Sequence, residues 1–155
     1  MGSIQVDSPS KAKQAEFQVG YIWVALATAI FAGFAIGAHL ALVIGYNFPL
    51  GKGFASFIQA HGHVQLIGWA GLFVIGMSLH FIPRLSSVPI SQLQKMKPLP
   101  WLIAIGLLLR SVGHTVLPYI RGSVFFVPLN WLTALSGIIE WYGILIYLSL
   151  LLETI

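Results

Sequence analysis

Four long apolar runs, separated by short stretches rich in glycine, proline and polar residues, dominate this chain. They cover approximately Tyr21–Tyr46, Phe54–Ile82, Pro100–Leu117 and Pro128–Leu152. A helix needs roughly 20 apolar residues to cross about 30 Å of hydrocarbon, and each run approaches or exceeds that length. The breakers between them are Asn47 to Gly53, Pro83 to Pro98 and Pro118 to Gly122. Pro100 and Pro128 suit the first turn of a helix, where a missing N–H costs nothing. The pattern predicts an all-α, integral membrane four-helix bundle over residues 21–155, preceded by a polar tail over residues 1–20.

Composition agrees with the pattern: 57% of residues are hydrophobic and 8% charged, too little polar surface to cover a water-soluble domain of 155 residues. The net charge of +4 comes from eight scattered Lys and Arg, so there is no basic patch for nucleic acid. The charges report topology instead. Lys11 and Lys13 in the tail join Arg84, Lys95 and Lys97 in the second connection, against Lys52 and Arg121 in the other two, which places both termini in the cytoplasm. Tyr21, Trp23, Trp101, Tyr119 and Trp131 fall near helix ends, where amphipathic rings favour the headgroup level. The first eighteen residues are polar and lack the apolar core of a cleavable signal peptide. With no cysteine, thiolate, disulfide and iron–sulfur chemistry are excluded, leaving His, Met and carboxylates as ligands.

Ionisable groups at membrane depth are expensive and therefore functional by default. Counting about 1.5 Å per helical residue, His39, His61, His63 and His114 all fall in the outer half of the membrane, whereas His80 lies at a cytoplasmic helix end beside Pro83 and Arg84, where an interfacial role is ordinary. His61 and His63 are two residues apart and point in nearly opposite directions on a helix, so they serve different neighbours. His61 shares a face with Gln65, Gly68 and Leu72, and the glycine leaves room for a flat macrocycle against the helix. The plainer reading is that one histidine bonds a carbonyl or hydroxyl on a neighbouring helix and that Gly68 permits close packing. Ala25, Ala29, Gly33, Gly37 and Ala41 form a stripe of small residues on the first helix, suited to helix packing or to a planar cofactor. His39 projects away from it. Arg110 and Glu140 lie at comparable depths on the third and fourth helices, and a buried ion pair between them is the simplest expectation. Glu140 as a proton acceptor, or Arg110 tuning a cofactor, is the functional alternative.

The stretch Ala60-His61-Gly62-His63-Val64-Gln65-Leu66-Ile67-Gly68-Trp69-Ala70-Gly71-Leu72-Phe73, ending in His80-Phe81-Ile82-Pro83-Arg84, resembles the second transmembrane helix of haem–copper oxidase subunit I. It is also similar to the helix bearing a His-x-His motif in NnrS-type haem- and copper-containing membrane proteins. The likeness covers about 25 residues strongly and the preceding helix weakly. The resemblance implies that His61 is an axial ligand of a low-spin haem. Those families have many more helices, and their remaining ligands lie on helices this chain does not contain, so the resemblance implies no complete oxygen or nitric oxide reductase site. The second axial ligand is then expected from His114, with His39, a second copy or another subunit as alternatives. His63 and His39 are left for a second site, a quinone headgroup or copper.

The expectation is therefore a b-type haem-binding electron-transfer subunit of a larger redox complex, in the bacterial inner membrane on the family likeness, not a complete enzyme alone. Its partners would be lipid, other redox subunits or further copies of itself, with a quinone or cytochrome exchanging electrons. A copper, haem or nitric oxide handling protein, or a cofactor-free assembly subunit, are the alternatives.

Overall fold

A computed structural model describes residues 19–154, and among these the regular secondary structure is entirely helical. Most of the expected polar tail lies outside the described residues. Four long helices follow one another: α1 (Val19–Gly45), α2 (Gly51–Ser86), α3 (Leu93–Val116) and α4 (Phe126–Leu152). Each is long and apolar enough to cross a bilayer, yet only 22–39% of its most apolar stretch is buried within the chain. The rest, including Trp23, Phe31, Phe34, Leu66, Leu108 and Trp141, faces outward. Such a surface suits lipid, which rewards apolar side chains and requires every backbone group to be satisfied within the helix.

The helices alternate in direction. Tyr21 and Leu99, early in α1 and α3, share one apolar core with Leu79 and Leu150, late in α2 and α4. This core fills the half of the bundle beside Val19 and Thr154. The other half, beside the α1–α2 and α3–α4 connections, is called the distal half below and carries most of the polar side chains.

Two boundaries differ from the sequence expectation. Pro83 does not end α2, which runs on to Ser86 and stops where Ser87 takes a left-handed φ of 60°. A proline this close to a C-terminus forfeits a single backbone bond, and its ring is buried. α3 opens early, with one turn at Leu93–Met96 ahead of the main run Leu99–Val116, so the connection shrinks to residues 87–92. Pro100 stands in the first turn of that run, as expected, and Pro128 in the first turn of α4.

The aromatic expectation is corrected at one position. Trp23, Trp101, Tyr119 and Trp131 are exposed, but Tyr21 is only 1% exposed and donates its hydroxyl to the Met96 carbonyl at 2.6 Å. A tyrosine whose O–H is satisfied gains more from burying its ring than from the headgroup layer.

α3 and α4 make the most extensive contact in the fold. Glycines bring their backbones together: a Cβ on Gly106 would stand 2.9 Å from the Ser136 carbonyl oxygen. α1 and α2 meet through a different device. Ala29–Phe34 in α1 and Val64–Gly71 in α2 are π-helical, and the two segments touch. Wide turns of this kind are rare and gather at functional sites because they loosen the regular carbonyl pairing and re-aim side chains. Sequence periodicity gives no sign of them.

Candidate functional site

His61 leaves α2 immediately before its π segment and turns toward α1. Its Nδ1 lies 2.8 Å from the carbonyl oxygen of Gly33, inside the π segment of α1. A carbonyl only accepts, so Nδ1 carries a proton, and in the neutral ring the lone pair is on Nε2. Nε2 has no hydrogen-bond partner among the described residues. The ring fits because α1 has no side chain at position 37: a Cβ on Gly37 would stand 2.7 Å from His61 Cε1. One turn along α2, the Gln65 amide covers Gly33 in the same way. The small-residue stripe is thus a packing groove, with Ala25 and Ala29 buried and Gly33 and Gly37 receiving side chains of α2.

Gly68 does not leave a slot for a macrocycle inside the bundle. Its Cα faces the Thr28 methyl of α1 and Leu107 of α3, which would collide with any added Cβ. The plainer reading of this glycine, close packing of three helices, is what the structure contains.

His63 points the other way, as its spacing from His61 requires. Its Nε2 donates to Glu140 Oε2 of α4 at 2.8 Å, with the carboxylate buried. This corrects the expected Arg110–Glu140 pair. Depth along the helices was matched, but rotation about the axes was not: Glu140 faces α2, whereas the Arg110 guanidinium lies over Gly137, with Nη1 2.9 Å from where a Cβ there would stand. Arg110 makes no ion pair among the described residues. Glu140 Oε1 is buried without a hydrogen-bond donor among them. The imidazole partner was visible in the sequence only as a second histidine at similar depth, with nothing to mark it as facing α4.

His114, expected beside His61, stands on the opposite side of α2. Arg110, His63 and Glu140 are the groups within electrostatic range of its ring. It lines a cavity with Lys52 and Ser56 at the start of α2 and Asn130 in α4. His39 is exposed on α1 and packs its ring 5.4 Å from that of Phe57. His80 lies near the end of α2, hydrogen-bonded to Arg84 at 2.9 Å. Among the described residues, no group of three or more His, Asp or Glu side chains converges as a metal cage.

His61 Nε2 is therefore a nitrogen that could hold a metal, and His114 is not brought to the same point. The fold defines an all-helical chain with four helices suited to a membrane bundle. No protein-family model, curated protein or solved structure matches it.

Proposed function

We propose that this chain is a b-type haem-binding subunit of a membrane redox assembly, in which His61 gives one axial ligand and a second copy or another subunit gives the other. The observation that supports the reading is the hydrogen bond from His61 Nδ1 to the Gly33 carbonyl. Metal-bound histidines usually donate their second ring N–H to a carbonyl or carboxylate, which fixes the tautomer, orients the ring and makes the ligating nitrogen more basic. Here the π segment of α1 presents the carbonyl, Gly37 admits the ring, and Nε2 keeps its lone pair.

A bound haem would supply one-electron exchange, and the chain would supply ligation and placement. An iron held by two histidines would have no open position for a gas, so electron relay fits this subunit better than oxygen or nitric oxide chemistry. His63 is committed to Glu140 and is withdrawn as a ligand through Nε2. The five-against-two distribution of basic residues supports cytoplasmic termini, with the distal half toward the outside, and the inner membrane of a bacterium is the setting the family likeness suggests.

Iron and copper analysis of the purified chain, together with its visible spectrum before and after dithionite, tests this reading. We expect iron with the sharp bands of a reduced low-spin haem. Copper without haem would make the chain a copper-handling protein instead, and colourless, metal-free protein bound to a larger complex would make it an assembly subunit.

A further inference from the structure

The distal end of the bundle carries an open cavity of about 500 Å³ between the starts of α2 and α4 and the end of α3. Its lining includes Lys52, Arg121 and His114, with Ser56 and Asn130 between them. Three independent features give it a sign. First, neither Lys52 nor Arg121 has an ion-pair partner among the described residues. The chain has four acidic side chains: Glu140 is held by His63, Glu153 by Ser91 and Gln92 at the other end of the bundle, and Asp7 and Glu16 precede α1, outside the described residues. Second, the first turns of α2 and α4 both line it, and a helix N-terminus carries partial positive charge.

Third, the neutral donors of the cavity are unspent. The other serine and threonine hydroxyls within the four helices bond the chain: Thr28, Ser78, Ser111, Thr115, Thr133, Ser136 and Ser149 to carbonyls of their own helix, and Ser86 from the Val88 N–H. The Ser56 hydroxyl and the Asn130 amide have no hydrogen-bond partner among the described residues. Two cations, two helix starts and two groups able to donate around one hollow suit a ligand that accepts hydrogen bonds and carries negative charge.

We propose that this cavity binds a phosphate-type oxyanion, delivered either as the headgroup of an anionic phospholipid or as free phosphate. The site is separate from His61 and holds whether or not the chain carries haem. Arg121 would take the oxygens in a fork, Lys52 would add a point charge, and Ser56 and Asn130 would fix the orientation.

The test is native mass spectrometry of the full chain with phosphatidylglycerol or phosphatidylcholine of identical acyl chains, and with inorganic phosphate as a competitor. The expected result is a preference for phosphatidylglycerol on the order of tenfold, lost in the K52A/R121A double variant and reduced in S56A/N130A. Inorganic phosphate that displaces the lipid, and binds by itself in a manner lost with K52A/R121A, would identify the free anion as a ligand; no displacement would identify the headgroup. Both basic side chains are exposed, so the double variant keeps its core, and unchanged helicity by circular dichroism checks this. Equal retention of the two lipids with no phosphate binding would overturn the proposal, as would a preference that survives K52A/R121A.

Discussion

His63→Leu is expected to destabilise the bundle by about 3–5 kcal/mol, because it strands a buried acidic side chain whose one described donor is gone. Glu140 Oε2 is held by His63 Nε2 at 2.8 Å and Oε1 already lacks a described donor, so the single variant leaves both oxygens without one. Glu140→Leu removes the acid itself and leaves His63, which is one-third exposed and keeps partial access to other partners. Its cost is therefore smaller. The double variant His63→Leu/Glu140→Leu replaces the pair by apolar side chains, an exchange that is often neutral or stabilising, and should recover most of the loss. Reversible unfolding of all four proteins in one detergent closes the cycle. Strictly additive single losses would mean that the two residues are not an energetic unit.

The second large effect is steric. Gly106→Ala adds a methyl group 2.7 Å from Glu140 Cγ and 2.9 Å from the Ser136 carbonyl oxygen. The side chain can rotate away, but the carbonyl belongs to the backbone of α4, so α3 and α4 must separate. Overpacking of this kind costs about 1–3 kcal/mol, here at the most extensive helix contact of the fold. Gly62→Ala is the matched control: nothing lies within 4 Å of the added methyl, and exchanging glycine for alanine within a helix gains up to about 1 kcal/mol. Thermal unfolding should rank Gly62→Ala at or above the parent and Gly106→Ala well below it. Equal midpoints for the two variants would show that α3 and α4 are not held at backbone contact.

How much of this was legible in the sequence follows from what lipid demands. Four spans were readable because a membrane helix is defined by length and apolar content, which a sequence states directly. The boundaries were less so, since Pro83 looks like a stop but sits where losing one backbone bond is tolerated. At the site, the opposed directions of His61 and His63 followed from helical geometry alone. Their partners did not. Pairing Arg110 with Glu140 used depth, which counting supplies, but partner choice depends on rotation about each helix axis, which packing sets. The π segments add a second unreadable factor, because they alter the angular count between His61 and Gly68 and present the Gly33 carbonyl to the imidazole.

The central claim, that His61 is poised to ligate through Nε2, is tested most directly by reduced-minus-oxidised difference spectra of His61→Ala beside His39→Ala, His63→Ala and His114→Ala. The account predicts that His61→Ala alone abolishes the bound-haem bands, that added imidazole restores them, and that His114→Ala retains them. Haem bands unchanged in His61→Ala and lost in one of the other three variants would contradict it.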